Sequence, residues 1–316
     1  MKDIENSKKE APLKESPMLG LTGMGGGVAS LMWHHAAGLV QGGLWVWGNN
    51  TYGEMMKNYS QGAKRSSPVQ VGTDTTWAHL LDCGTADGYN SFAGKADGTL
   101  WVSGSPKEDG NGGNVGMTGL NNDVLYSSPV QIPGVTWSGS FAKASRTVIA
   151  TKTDGTLWVW GKNTYGMLGL NEKAPTRPSV SSPTQIPGSW KIEKGGVSGG
   201  NEYLFGIKQD GTLWVWGKND NNGFGMSQPS NYFRSSPVQV GTDNNWASIN
   251  AGGGYSTQIA IKTDGTMWSW GNNGSGQLGL NNQTPANSPT QIPGTTWVAT
   301  SNGSSGVHAT KSDGTM

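Results

Sequence analysis

One eight-residue string, returning at near-constant spacing, constrains this chain more than any other feature. DGTLWVSG stands at 97–104, DGTLWVWG at 154–161 and again at 210–217, and DGTMWSWG at 264–271. A shorter relative, GGLWVWG, occupies 42–48, and DGTM closes the sequence at Met316. The aspartates Asp97, Asp154, Asp210, Asp264 and Asp313 are separated by 57, 56, 54 and 49 residues. A second string falls between the copies: SSPVQVGTDTTW ending at Trp77, SSPVQIPGVTW at Trp137, SSPTQIPGSW at Trp190, SSPVQVGTDNNW at Trp246 and NSPTQIPGTTW at Trp297. Self-similarity at such a period marks a repeat architecture, in which each unit buries its apolar surface against the next copy.

Each DGT follows a short apolar stretch, such as VIATKT at 148–153 or FGIKQ at 205–209. The unit therefore reads strand, turn, strand. Asp-Gly between two β-rich runs predicts a tight two-residue hairpin, since both residue types accept positive φ. Along LWVWG, side chains alternate across the pleat, with Trp158 and Trp160 on one face and Leu157 and Val159 on the other. Neither face is polar, so both must be covered, as happens when sheets stack around an axis. The proline of SSPVQ lacks an N–H and predicts an outer strand. About four short strands per period is the size of one propeller blade, which makes the expected fold an all-β propeller.

Composition agrees. Glycine supplies 51 of 316 residues without a Gly-X-Y period, which leaves turn-dense β-structure or disorder. Fifteen tryptophans decide against disorder, because burying one indole contributes on the order of 4–6 kcal/mol before entropy is counted. A net charge of +1 gives no overall basic footprint for a nucleic-acid backbone or an anionic membrane. The single cysteine, Cys83, has no intramolecular disulfide partner and reads as a small buried residue. No apolar run reaches the length of a membrane span, and the opening MKDIENSKKEAPLKES has no apolar core of a secretory signal.

The runs DGTLWVWGKNTYGMLGLN (154–171) and DGTMWSWGNNGSGQLGLN (264–281) resemble the repeat of the regulator of chromosome condensation family. The resemblance covers residues 36–316 and implies a propeller, with seven blades the family norm. It divides the chain into a tail and apolar Gly-rich arm at 1–35 and repeats at 36–316, in units near 36–91, 92–147, 148–203, 204–257, 258–306 and a partial 307–316. Six hairpins are visible and the last stops at its turn. Truncation, a smaller disc, or completion by a partner or by the N-terminal segment would each account for that.

Fourteen tryptophans occupy repeat positions: Trp45, Trp101, Trp158, Trp214 and Trp268 after leucine or methionine, Trp47, Trp160, Trp216 and Trp270 before glycine, and the five that close the second string. Such regularity predicts core packing rather than a ligand platform. The recurring aspartates read as turn residues, because acid-base chemistry needs a pair converging in one cleft. His34, His35, His79 and His308 lack cysteine or carboxylate partners at zinc-ligand spacing. KNDNNGFG at 218–225 misses the calcium-loop register, since Lys218 stands where the first ligand belongs. Gly23, Gly25, Gly26 and Gly27 do not make a G-x-G-x-x-G fingerprint. The expectation is therefore no catalytic, metal or cofactor site.

Loops that depart from the repeat are the better place to seek function. The first carries TYGEMMKNYSQGAKR (51–65) and the fourth NNGFGMSQPSNYFR (221–234), both rich in interface-type side chains. Tyr52, Met55, Met56, Tyr59 and Arg65 in the first, and Phe224, Met226, Tyr232, Phe233 and Arg234 in the fourth, are the candidate partner contacts. The stretch MLGLTGMGGGVASLMW (18–33) offers Met18, Leu19, Leu21, Met24, Val28, Leu31, Met32 and Trp33 as an anchor into a larger assembly, or else as an irregular extra strand. Repeats of the DGTLWVWG kind also resemble those of bacteriophage appendage and decoration proteins. That resemblance implies a non-enzymatic virion component, made in the host cytoplasm, whose partners are other structural proteins or a host surface receptor. A soluble propeller acting as an inhibitor or exchange-factor-like partner is the alternative, and a glycan-binding propeller the third.

Overall fold

A computed structural model describes residues 41–59, 62–80, 90–107, 116–229, 232–252, 256–303 and 306–314. The proposed anchor residues Met18 to Trp33 and Cys83 lie outside these.

The described strands form six antiparallel sheets. Four are four-stranded meanders. The second sheet is Trp77–Leu80, Asn90–Lys95, Leu100–Gly104 and Tyr126–Ile132. The third is Trp137–Ala144, Thr147–Lys152, Leu157–Lys162 and Ser179–Ile186. Val197–Gly199, Tyr203–Ile207, Leu213–Lys218 and Phe233–Gln239 make the fourth, and Trp246–Ala251, Thr257–Lys262, Met267–Gly271 and Ala286–Ile292 the fifth. The first sheet holds Trp45–Asn50 and Ala63–Gln70, and the sixth Trp297–Asn302 and Val307–Lys311.

Opening strands of neighbouring sheets meet at the centre, where Ala251 N–H donates to Ser198 Oγ at 2.9 Å and Asn250 Nδ2 to the Thr300 carbonyl at 3.0 Å. Closing strands face outward and carry the prolines expected there, Pro68, Pro129, Pro183, Pro237 and Pro289. An outer edge that lacks an N–H at mid-strand is a poor template for pairing with another chain.

The apolar character of both faces of LWVWG is explained by the stacking. Each core cluster is shared by consecutive sheets. Ile149, Leu157 and Val159 of the third sheet pack with Leu204 and Trp216 of the fourth, while Phe205 and Val215 of the fourth pack with Trp246 and Trp270 of the fifth. The tryptophan before glycine also ties its sheet to the preceding loop: Trp160, Trp216 and Trp270 donate Nε1–H to the carbonyls of Met117, Met167 and Gly223 at 3.2, 2.8 and 3.0 Å. Ser103 occupies that position in the second sheet and donates to the Glu54 carbonyl instead.

Two expectations need correction. The Asp-Gly hairpins are three-residue loops. In the fourth sheet Lys208 N–H donates to the Thr212 carbonyl and Gly211 N–H to the Lys208 carbonyl, and only the glycine takes positive φ, +82° at Gly211. This is the pattern of a turn followed by a left-handed glycine. The aspartate instead accepts both the N–H and the hydroxyl of the following threonine on Oδ1, at 3.0 and 2.6 Å for Asp210 and Thr212. These bonds hold the carboxyl below its usual range.

The tryptophans are not uniformly core. Trp160, Trp190 and Trp216 are fully buried, whereas Trp101, Trp158, Trp214 and Trp268 are half-buried and Trp45 is 52% exposed. In the half-buried set Nε1 donates to the hairpin threonine, as Trp214 does to Thr212 at 2.8 Å. Trp45 follows GG where the others follow GT. It has no such threonine.

Candidate interaction surface

The loops joining third to outer strands lie opposite the Asp-Gly hairpins; those of the first, third, fourth and fifth sheets are each organised by one buried asparagine, while the second sheet has no asparagine at that position. Asn163 donates Nδ2–H to the carbonyls of Glu172 and Arg177, both at 2.9 Å, and accepts Leu168 N–H on Oδ1 at 2.9 Å. Asn50, Asn219 and Asn273 repeat the arrangement, accepting from Met55, Phe224 and Leu278. Sequence reasoning missed these asparagines, although the recurring Asn two residues after WG was there to be read. Asn163→Ala leaves the buried Leu168 N–H and two half-buried carbonyls without their partner. It is expected to cost about 2 kcal/mol, with hydrogen exchange rising at 164–178 before the sheets open.

The same bond decides the fate of several predicted contacts. The residue five positions after the asparagine is drawn inward, so Met55 and Phe224 are fully buried, and Met56 beside Met55 is buried too. These three belong to the core and are corrected from partner contacts to packing residues. Tyr59, Met226 and Tyr232 are half-buried against it, as is Tyr52, whose N–H is held by Glu54 Oε2 at 2.6 Å. Burial raises the Glu54 carboxyl above its ordinary range.

What remains outside is Arg65, Phe233 and Arg234. Arg65 pairs across its sheet with Gly48, and Arg234 with Gly217, the same register position three sheets apart. Each guanidinium lies over a tyrosine ring, Arg65 on Tyr59 at 4.4 Å and Arg234 on Tyr232 at 4.5 Å. Phe233 is 38% exposed, with the Lys173 ammonium 3.9 Å above its ring. Beside it, Lys218 pairs with Glu202 at 2.7 Å and lies over Tyr165. The carboxylate raises the lysine's affinity for its proton. Arg177 pairs with Glu172 at 2.7 Å. The first-loop and fourth-loop candidates sit on separate sheets and are not brought into one site.

No cluster of three or more His, Cys, Asp or Glu that could hold a metal occurs among the described residues. No helix there is long and apolar enough to cross a membrane.

The regulator of chromosome condensation (RCC1) repeat model matches residues 154–206 and 264–307. Among curated relatives, the ultraviolet-B receptor UVR8 of Arabidopsis thaliana is 25% identical over 284 residues, 89% of this chain and 59% of that protein. The probable E3 ubiquitin-protein ligase HERC6 of Homo sapiens is 25% identical over 233 residues, 73% of this chain and 22% of the ligase. The chain thus spans under a quarter of that ligase and somewhat over half of the receptor. Among solved structures, human WBSCR16 superposes with a TM-score of 0.69 at 19% identity, covering 85% of this chain and 67% of that one. Yeast RCC1 (Prp20), solved bound to Kap60, gives 0.63 at 18% identity, covering 86% and 63%. These likenesses establish the fold.

Proposed function

From a chain built of repeats of the regulator of chromosome condensation type, we propose a non-catalytic, protein-binding propeller, an inhibitor or exchange-factor-like partner of another protein. The observation that carries this reading is the pair of exposed arginines at equivalent positions, Arg65 and Arg234. Neither has an ion-pair partner among the described residues, and each is held flat on a tyrosine. Stacking on a ring contributes about 0.5–1 kcal/mol at such a site and leaves the charge available. An arginine ordered in advance loses less entropy when a partner binds, and arginine beside aromatic side chains is a frequent source of interface energy.

The relatives support the same reading. Yeast Prp20 is described in complex with Kap60 and as binding Gsp1p and histones. The virion-component reading draws no support from the relatives named above, which include a ubiquitin ligase and a photoreceptor.

The test is quantitative co-purification from cells of the source organism, comparing the wild-type chain with R65E/R234E. The variant should stay folded, melting only a few degrees lower for the loss of two ring contacts, and lose a stoichiometric protein partner by about tenfold or more. Equal recovery of the same proteins with both chains would remove the reading.

A further inference from the structure

The hairpin side of the molecule carries a second recurring arrangement. Five lysines, each two residues before the hairpin aspartate, place their ammonium against indole rings. Lys95 lies over Trp77 and Trp101, Lys152 over Trp137 and Trp158, Lys208 over Trp190 and Trp214, Lys262 over Trp246 and Trp268, and Lys311 over Trp297. Two of these corners are closed by the chain's own carboxylates. Asp74 Oδ2 is 2.5 Å from Lys95 Nζ, and Asp243 Oδ2 is 2.8 Å from Lys262 Nζ. Both aspartates come from the VGTD form of the connection into the next tryptophan.

The third and fourth sheets are entered through the other form, Ile-Pro-Gly. A Cβ on Gly134 would stand 3.6 Å from Lys152 Cε and 3.2 Å from Trp137 Nε1, and one on Gly188 would stand 3.5 Å from Lys208 Cε and 3.0 Å from Trp190 Nε1. Glycine therefore stands where a side chain would reach the ammonium. Lys152 and Lys208 have no ion-pair partner among the described residues. The buried Nε1–H groups of Trp137 and Trp190 have no acceptor, but neither do those of Trp77 and Trp246 at the closed corners, so what separates the two kinds of corner is the carboxylate on the lysine alone. The nearest acids, Asp154 and Asp210, commit Oδ1 to Thr156 and Thr212 and do not reach the lysines within ion-pair distance. Val135, next to Gly134, is 61% exposed and adds an apolar contact.

We propose that these two adjacent corners are carboxylate receptors. An acidic segment of a protein partner places one carboxylate on Lys152 and a second on Lys208, in the role that Asp74 and Asp243 fill for Lys95 and Lys262. The inference rests on the reading of the chain as a protein-binding propeller and assigns that activity a second surface, opposite the arginines. The chain itself supplies the precedent, since two of its own corners hold a carboxylate on the same lysine-indole arrangement. Each ammonium is fixed by two rings before binding, which lowers the ordering cost of pairing it. The Lys311 corner also follows a glycine, Gly294, but the fifth sheet with its own aspartate separates it from the other two.

The test is fluorescence anisotropy of a fluorescein-labelled hexaglutamate peptide titrated with the full chain at low ionic strength, where exposed charge pairs are least screened. Saturable binding is expected, about tenfold weaker in K152Q/K208Q. It should persist in K152R/K208R, which keeps charge and stacking, and in K95Q/K262Q, whose lysines already hold aspartates. Undiminished binding by K152Q/K208Q, an equal loss in K95Q/K262Q, or a flat titration of the wild-type chain would overturn the proposal. The R65E/R234E chain separates the two ideas. A partner lost on co-purification together with a flat peptide titration leaves the protein-binding reading standing and removes this one. Peptide binding that depends on Lys152 and Lys208 supports this one whatever the arginine variant does.

Discussion

Replacing Gly211 with alanine is expected to destabilise the protein by about 3 kcal/mol, although the substitution adds a single methyl group. Gly211 has φ +82°, which any L-residue adopts only at a cost of about 1–2 kcal/mol. The added Cβ would also be driven into the carbonyl oxygen of Asn244. The backbone cannot withdraw freely, because the Gly211 carbonyl accepts Trp246 N–H at 3.0 Å and so ties the fourth sheet to the fifth. Gly241 makes the control. It also has positive φ, +63°, but nothing lies within 4 Å of where its Cβ would go, so Gly241→Ala should cost only the conformational part, about 1 kcal/mol. For a chain of this size the Gly211 variant should melt roughly 6–12 °C lower by calorimetry. Equal effects at the two glycines would show that the contact between sheets is not what the hairpin glycine serves.

Trp216→Ala should be costlier still, about 4 kcal/mol. The side chain is fully buried between the third and fourth sheets. It packs edge-on to Trp190 with ring centroids 6.0 Å apart, and its Nε1–H donates to the Met167 carbonyl at 2.8 Å. Trp216→Phe separates the contributions, since it keeps most of the apolar volume and removes the bond. A cost of about 1–2 kcal/mol is expected for phenylalanine, read by chemical denaturation with far-ultraviolet circular dichroism. If alanine and phenylalanine behaved alike, the hydrogen bond rather than the packing would dominate.

Much of the scaffold was legible in the sequence because the packing repeats whenever the residues do. The period of DGT, the two-sided apolar pattern of LWVWG and the proline of SSPVQ led to hairpins, stacked sheets and outer strands, all of which the structure contains. The misreadings have physical causes. Met55, Met56 and Phe224 have the composition of an interface, but their exposure is set by a buried asparagine five residues upstream of Met55 and Phe224, and composition carries no information about that bond. The Asp-Gly hairpin is one residue longer than its dipeptide suggests: the aspartate accepts the N–H and hydroxyl of the following threonine, and the glycine alone takes positive φ. The lysine-indole corners were visible only as a lysine two residues before each hairpin aspartate. Their second ring comes from a tryptophan well upstream that no local pattern connects to it.

The candidate surfaces were less legible than the scaffold. Arg65 and Arg234 stood out as departures from the repeat, but their common register and their tyrosine supports depend on strand pairing. The distinction between Asp-closed and glycine-opened corners follows from a difference between VGTD and Ile-Pro-Gly that reads, in sequence, as ordinary loop variation.

The central claim, that the exposed departures from the repeat contact another protein, is tested most directly by site-specific photo-crosslinking. Benzoylphenylalanine placed at Phe233 should give one covalent adduct with a second protein in cells, while the same group at Gln283, exposed in the loop before the outer strand of the fifth sheet, gives none. No adduct from Phe233, or the same adducts from both positions, would contradict the claim.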